Sequence, residues 1–206
     1  MSTSTGVFVV DDDASVRKAI ARVLGATGLA VSTYASAREY LERCDQNDAP
    51  GCLVLDLAMP GLSGLDLQHV LAARGDVRPI IFLTGHAEVP ESVQAMKHGA
   101  ADFLTKPVDD LVLIEAVRSA LDKDRLEWAR RAELAEIRKR LLTLTRRESE
   151  VFSQVISGRL NKQIAAELGT VEKTVKVHRA RVMEKLQVGS LAELVRLAVR
   201  AGVRSA

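Results

Sequence analysis

The stretch Leu53–Gly61, LVLDLAMPG, decides the fold of this chain. A short apolar run ends there in one carboxylate, Asp56, and the chain then turns at Pro60–Gly61. Short apolar runs that are bounded by turn residues are typical of buried strands. Open α/β sheets carry their chemistry at the carboxyl ends of their strands. The stretch therefore predicts a buried strand that delivers Asp56 to a functional edge of a sheet.

Strands and helices alternate on both sides of this stretch. Further strands are predicted at Val7–Val10, around Val31, at Pro79–Thr84 and at Ala101–Leu104. Apolar residues at helical spacing predict helices at Ala14–Ala26, Ser36–Arg43, Leu65–Ala73 and Val89–His98, and from Asp109 onward. This alternation predicts an α/β domain with a doubly wound, five-stranded parallel sheet that is covered on both faces.

The chemistry-bearing residues of this half follow the predicted strands: Asp11, Asp12, Asp56, Thr84 and Lys106. Three carboxylates at one edge repel each other and require a cation, and Mg²⁺ prefers such oxygen ligands. Phosphoryl transfer depends mainly on positioning and charge neutralisation, so a metal ion and Lys106 form a sufficient catalytic set. Asp56 would be the nucleophile and would form an acyl phosphate.

The charge of the chain is divided between its two halves. Residues 1–122 hold 10 Lys and Arg against 17 Asp and Glu, a net charge of −7, whereas residues 123–206 hold 19 against 10, a net charge of +9. A basic half makes nucleic acid a candidate partner. No apolar run reaches the ~18 residues of a membrane span, and Met1–Thr5 does not resemble a secretory signal. We therefore expect a cytoplasmic protein without a membrane partner.

The region Leu111–Leu142 contains neither Pro nor Gly and predicts one long helix. It carries two short apolar seams that are out of register with each other: Leu134, Ile137, Leu141 and Leu144, and Leu121, Trp128, Ala135 and Leu142. Neither seam lasts for three or four heptads. Two alternatives stay open, namely a helix that packs against its own domains and a helix that forms a dimer contact.

The basic half predicts four helices with a helix-turn-helix plan. Thr145–Glu148 and Ser190–Glu193 match capping boxes, and Asn161 is expected to cap a short helix. After the turn at Gly169–Thr170, a longer helix extends from Val171 to about Leu186. Its basic side chains suit a helix that enters the major groove of DNA.

Residues 6–122 resemble the receiver domain of response regulators, which has a flavodoxin/CheY-like fold. The resemblance is carried by Asp11–Asp12, Asp56, Met59–Gly61, Gly64, Thr84, Phe103 and Lys106–Pro107. It implies that Asp56 accepts phosphate from a sensor histidine kinase. It also implies that Asp11, Asp12, Asp56 and the backbone carbonyl of Ala58 bind Mg²⁺, and that Thr84 and Phe103 form a switch pair.

The remainder resembles the LuxR-type DNA-binding domain, through Thr145–Glu148, Asn161–Ala165 and Thr174–Arg179. The resemblance implies that Lys176 and Val177 lie near bases and that Lys173, Thr174, His178 and Arg179 help at phosphates. The last helix, Leu191–Val199, would be a dimer contact. The expected domains are a receiver at 1–122, a linker helix at 123–142 and the DNA-binding domain at 143–206.

Together the two resemblances indicate a two-component transcription regulator of the NarL/FixJ family, close to the FixJ subgroup, rather than an enzyme. Phosphorylation of Asp56 is expected to convert a monomer into a homodimer that binds promoter DNA and acts with RNA polymerase. One alternative is a regulator that binds DNA independently of phosphate, with the receiver as an interaction module. A less favoured one is an aspartate-nucleophile phosphohydrolase, because Ala58 stands where such an enzyme would need a second acid/base carboxylate.

Overall fold

The five predicted strands pair in parallel within one sheet. The protein's structure is a computed structural model that describes residues 6–44, 50–85 and 95–203. The strands are β1 (Gly6–Val10), β2 (Ala30–Tyr34), β3 (Gly51–Asp56), β4 (Ile80–Thr84) and β5 (Asp102–Thr105). Their order across the sheet is β2-β1-β3-β4-β5. The strand that ends in Asp56 is therefore central, and every one of its residues is buried.

Helices cover both faces of this sheet, which confirms the doubly wound α/β class. The helices are α1 (Ala14–Ala26), α2 (Ala37–Arg43), α3 (Gly64–Ala73) and the first part of α4 (Asp110–Leu141). Leu53 and Leu55 of β3 pack with residues of α2 and α3, whereas Cys52 and Val54 pack with residues of α1 and α4. The alternation of side chains along one buried strand thus supplies two separate cores. Most of the helix predicted at Val89–His98 lies outside the described residues.

Helix α4 is continuous over 32 residues, as its lack of Pro and Gly predicted. Residues of its apolar seams pack into two different hydrophobic cores. Leu121 is buried among the residues that pack on the sheet, whereas Ile137 is buried in a second core and Leu141 packs beside it. Leu142 is 86% exposed, so it belongs to neither core. The structure therefore supports packing of the seam residues within their own units.

The second core belongs to four shorter helices: α5 (Arg146–Ile156), α6 (Asn161–Glu167), α7 (Glu172–Leu186) and α8 (Leu191–Arg200). The chain divides into two compact units, Met1–Trp128 and Ala129–Ala206. Among the helices in the described ranges, none is both long and apolar enough to cross a membrane.

The helix caps confirm one of the three sequence signals in the second unit in full and a second one in part. Thr145 and Glu148 form a reciprocal capping box at the start of α5. Ser190 caps α8, although the Glu193 carboxylate accepts from the Gly189 N–H rather than from the N–H of Ser190. The prediction for Asn161 was wrong. Leu160 is the N-cap residue of α6, and the Asn161 side-chain oxygen accepts instead from Arg179 Nη1 at 3.2 Å. That contact joins α6 to α7, which local capping rules do not foresee.

A buried carboxylate connects the start of α5 to the end of α7. Glu148 is 3% exposed, and its Oε2 accepts from Lys185 Nζ at 2.6 Å and from the Thr145 N–H at 2.9 Å. Lys185 Nζ also donates to the Thr143 carbonyl at 3.0 Å. These contacts, with the ammonium of Lys185 first among them, lower the pKa of Glu148 to about 2.

Replacing Glu148 with Gln is expected to lower the free energy of unfolding by about 1–2 kcal/mol at neutral pH, because Lys185 loses its buried partner. The folded pKa of Glu148 lies below its unfolded value, so this stabilisation is present above about pH 4.5 and is lost as the pH falls towards 2. Hydrogen exchange of residues 143–203 in the whole protein measures the effect. Glu150→Gln removes two partly exposed ion pairs, with Arg146 and Arg147, and should change stability much less than Glu148→Gln does; equal losses in both variants would contradict the assignment.

Candidate functional site

Four strand ends bring their polar residues to one edge of the sheet. Asp56 is the last residue of β3 and Thr84 is the last of β4, while Asp11 directly follows β1 and Lys106 directly follows β5. β1 and β4 both pair with β3, and β5 pairs with β4. The convergence that the sequence predicted at this edge is therefore present in the fold.

A cluster of opposite charges occupies this edge. Lys106 Nζ lies 2.6 Å from Asp11 Oδ2 and 3.2 Å from Asp56 Oδ1. Asp11 is 0% exposed and Asp56 is 5% exposed, whereas Asp12 is exposed. Carboxylate oxygens of Asp11, Asp12 and Asp56 all lie within 4.8 Å of one another. A hard divalent cation such as Mg²⁺ fits this oxygen donor set, and the exposed side of Asp12 gives access to it.

Burial and charge act in opposite directions on these groups. Burial raises the pKa of Asp56 above its ordinary value, and the ammonium of Lys106 only partly opposes that effect. Burial by itself would lower the pKa of Lys106, but the hydrogen bond and the charge of Asp11, together with Asp56, raise it overall. Lys106 therefore stays cationic, and the ionised form of Asp56 is poorly solvated and gains from a nearby cation.

The three consecutive carboxylates after β1, Asp11 to Asp13, make different contacts. Asp13 caps α1, because its Oδ1 accepts from the Ser15 N–H at 2.7 Å. The Asp13 N–H in turn donates to Asp11 Oδ1 at 2.9 Å and so orients Asp11 towards Lys106. Sequence reasoning missed Arg17, whose guanidinium donates to the backbone carbonyl of Asp11. The six-residue separation across a helix start gave no signal for that contact.

The residues around Asp56 leave it approachable. Ala58 is exposed, and its N–H donates to the Asp56 carboxylate, which lowers the pKa of Asp56 against the effect of burial. No described contact involves the Ala58 carbonyl, so its role as a metal ligand stays a prediction.

The predicted switch pair occupies neighbouring strands. Thr84 is 2% exposed, and its carbonyl accepts from the Lys106 N–H at 2.6 Å. Phe103 lies on β5 and is half-buried, with its ring centroid 6.3 Å from that of Phe82. The peptide bond Lys106–Pro107 is cis. The positions of Thr84 and Phe103 are compatible with a switch, which stays a prediction.

A second candidate site lies on the outward face of α7. The opposite face packs into the core through Val175, Val182 and Leu186. Lys173, Lys176 and Val177 are exposed, and their spacing puts them on neighbouring turns of one helix face. Lys176 Nζ lies 3.1 Å from Glu172 in an exposed i,i+4 pair, which is too weak to withhold it from a nucleic acid.

The other predicted DNA contacts are less accessible. Thr174, His178 and Arg179 are half-buried, and Arg179 bonds to Asn161. Nδ1 of His178 is buried and has no hydrogen-bond partner in the described part of the chain. A phosphate contact from His178 would therefore have to use its other ring nitrogen. The side chains that are exposed to a nucleic acid are those of Lys173, Lys176 and Val177.

Comparisons with known families agree with this division of the chain. A family profile described as "Response regulator receiver domain" matches residues 7–118. A second profile, "Bacterial regulatory proteins, luxR family", matches residues 142–198. Together the two profiles cover both the charge cluster and the basic helix face.

Curated relatives match over almost the whole chain. Nodulation protein W of Bradyrhizobium diazoefficiens is 45% identical over 202 residues, which cover 98% of this chain and 88% of that protein. The transcriptional regulatory protein FixJ of Azorhizobium caulinodans is 45% identical over 206 residues, which cover 100% and 97%. The response regulator protein TodT of Pseudomonas putida is 40% identical over 194 residues, which cover 94% and 85%.

Solved structures match in the same way. The response regulator StyR superimposes with a TM-score of 0.89 at 43% identity, covering 96% of this chain and 99% of that one. Full-length FixJ from B. japonicum matches with a TM-score of 0.59 at 38% identity, covering 98% and 100%.

Proposed function

This chain belongs to the NarL/FixJ family of response regulators, which join a receiver domain to a LuxR-type DNA-binding domain, and from that premise we propose that Asp56 is the residue that is phosphorylated. Members of this family are transcription regulators that interact with histidine kinases and DNA. The observation that carries the proposal is the position of Asp56 at the end of the central strand, with Lys106 Nζ 3.2 Å from its carboxylate.

The phosphorylation step follows from this geometry. An Asp56 oxygen attacks the phosphorus of a phosphohistidine, the P–N bond breaks, and the imidazole leaves and takes up a proton. Lys106 stays charged and neutralises part of the negative charge on the transferring group. Mg²⁺, when bound by Asp11, Asp12, Asp56 and the Ala58 carbonyl, would neutralise the remainder. Catalysis of this kind needs little beyond position and charge.

The output of the phosphorylated state is DNA binding by the second unit. In the proposal Thr84 turns towards the phosphoryl group and Phe103 turns inward, which shifts the receiver between two states. The protein then passes from monomer to homodimer, and the linker helix at 123–142 connects the receiver at 1–122 to the DNA-binding domain at 143–206. Dimers pair two recognition helices on a two-fold promoter site. Contact with RNA polymerase would follow there, so the activity belongs in the cytoplasm with the DNA.

The test is to incubate the whole protein with acetyl phosphate and Mg²⁺. We expect a covalent mass increase on one residue, a larger molecular mass in solution, and tighter binding to promoter DNA. A mass increase without any change in DNA affinity would favour a regulator that binds DNA independently of phosphate. Catalytic turnover of a simple phosphomonoester would favour the phosphohydrolase instead.

The exposed face of α7 leads to a prediction about DNA binding. Lys173→Gln is expected to weaken binding to all DNA sequences alike and to reduce the salt dependence of the logarithm of affinity by about one unit of slope, because one phosphate contact is lost. Fluorescence anisotropy over a series of salt concentrations measures both quantities. Lys18 is an exposed lysine of α1 in the other unit, so Lys18→Gln is the charge-matched control. An equal loss of affinity in both variants would contradict a specific role for this face.

A further inference from the structure

A thiol, a guanidinium and a phenol meet at the edge of the sheet where the strands begin. Cys44 directly follows α2, Arg78 lies just before β4, and Tyr40 belongs to α2. Asp56 lies at the opposite edge, where the strands end. We propose that Cys44 is a site of reversible oxidation that takes up one oxygen atom from hydrogen peroxide. Cys44, Arg78, Tyr40 and Asp76 are called the thiol cluster below.

Contacts with Asp76 and Phe8 hold the Arg78 side chain in the thiol cluster so that its Nη1 is directed at Cys44 Sγ. Its Nε donates to Asp76 Oδ1 at 3.0 Å and its Nη2 donates to Asp76 Oδ2. Its guanidinium carbon lies 5.0 Å from the centre of the Phe8 ring. Nη1 is left to donate to Cys44 Sγ at 3.5 Å. A cation fixed beside a partly exposed sulfur is the environment in which reactive cysteines are found.

Tyr40 supplies an independent observation. Its side chain is 1% exposed, and in the described part of the chain its hydroxyl has no hydrogen-bond partner. Burial is the main cause of the raised pKa of Tyr40, and the nearby Cys44 thiol adds to it. A buried hydroxyl without an acceptor is costly. The Cys44 sulfur beside it is at best a weak acceptor, and an oxygen atom added to Cys44 would be a stronger one.

The other cysteine, Cys52, provides an unreactive thiol for comparison in the same domain. Cys52 lies within β3 and is 0% exposed. Burial raises the pKa of its thiol, so Cys52 stays protonated and shielded from oxidants. Cys44 is only half-buried. One chain thus contains both a candidate reactive thiol and an internal reference.

The chemistry is a two-electron oxidation. The Cys44 thiolate attacks one oxygen of hydrogen peroxide, an S–O bond forms, and the O–O bond breaks. The leaving hydroxide takes up a proton to become water, while the sulfur is oxidised to sulfenic acid. The new oxygen accepts a hydrogen bond from the Tyr40 hydroxyl and lies beside Arg78. A small thiol reverses the change, first by displacing water to form a mixed disulfide and then, through a second thiol, by releasing Cys44.

The test traps sulfenic acid in the whole, folded protein. The reduced protein is treated with hydrogen peroxide in the presence of dimedone, and the adducts at Cys44 and Cys52 are quantified by peptide mass spectrometry. We expect rapid adduct formation at Cys44 and none at Cys52. Arg78→Gln should slow the reaction of Cys44 several-fold, because it removes the cation that is held beside the sulfur. Tyr40→Phe should leave the rate of sulfenic acid formation at Cys44 unchanged. It should increase over-oxidation to sulfinic acid, because the new oxygen loses its hydrogen-bond donor.

Cys52 serves as the internal control in each variant. If dimedone does not label Cys52, the core of the domain is intact. Equal rates at Cys44 in the wild type and in Arg78→Gln, with Cys52 protected in both, would overturn the proposal. If Arg78→Gln exposes Cys52, the comparison is made between the folded wild type and the same chain in urea. Cys44 must then react faster when folded, and a slower reaction in the folded state would equally overturn the proposal.

Discussion

Asp56→Asn is expected to abolish the covalent mass increase with acetyl phosphate and Mg²⁺, and with it every phosphate-dependent gain in DNA affinity. An amide oxygen is not a nucleophile for phosphoryl transfer, and the change also removes one ligand of the proposed metal. DNA binding without phosphodonor should match that of the unphosphorylated wild type. Intact-protein mass spectrometry and anisotropy with promoter DNA measure the two effects.

Loss of folding is not expected to explain this result. The folded pKa of Asp56 is raised, so its ionised form is unfavourable in the folded state at pH values above its folded pKa. Asn removes that cost, and without Mg²⁺ the variant should unfold no earlier than the wild type on heating. Asp13→Asn is the matched control, because Asn caps a helix as well as Asp does. Acetyl phosphate should still modify Asp13→Asn, and retained modification of Asp56→Asn would show that another residue is the acceptor.

Gly64→Ala is expected to destabilise the receiver by about 2–4 kcal/mol, through overpacking against backbone. A Cβ at Gly64 would lie 2.4 Å from the carbonyl oxygen of Asp56 and 3.1 Å from both the Leu57 Cα and the Phe82 ring. The backbone must therefore shift at the residue that carries the phosphoacceptor carboxylate. Phosphorylation should slow as stability falls. Urea unfolding with hydrogen exchange of β3 and α3 measures the first effect, and the rate of mass increase measures the second.

Gly25→Ala provides the contrast within the same domain. Gly25 lies inside α1, and a Cβ there meets nothing within 4 Å. Ala is a better helix former than Gly, so this change should stabilise the receiver by about 0.4–1 kcal/mol. Opposite signs for the two substitutions would confirm that close approach, rather than the loss of a glycine, decides the outcome at Gly64. Similar small effects would show that the turn beside Asp56 can relax.

The sequence was sufficient for most features that depend on near neighbours, although the Asn161 cap shows an exception. The bounds of α1 were predicted to the residue, since helical periodicity and the stop at Gly28 are local signals. The capping box of Thr145 and Glu148 was also predicted, because both partners lie within one turn. The placement of strand-end carboxylates followed from the rule that parallel strands deliver their carboxyl ends to one edge of the sheet.

Contacts between distant residues were decided by tertiary structure alone. Lys106 reaches Asp11 across 95 residues, and Arg78 reaches Cys44 across 34. Asn161 bonds to Arg179 rather than capping its own helix. Such choices depend on which elements pack together, and the composition of one segment does not contain that information.

The charge cluster around Asp56 combines both kinds of information. The sequence by itself determined that acids, a hydroxyl and a lysine follow buried strands, because strand ends and turns are local. Only the tertiary structure decided that Asp11 meets Lys106, and that Asp56 is buried enough for its pKa to rise. The physical reason is that burial and charge act over a few ångströms in space, whatever the separation of the residues along the chain.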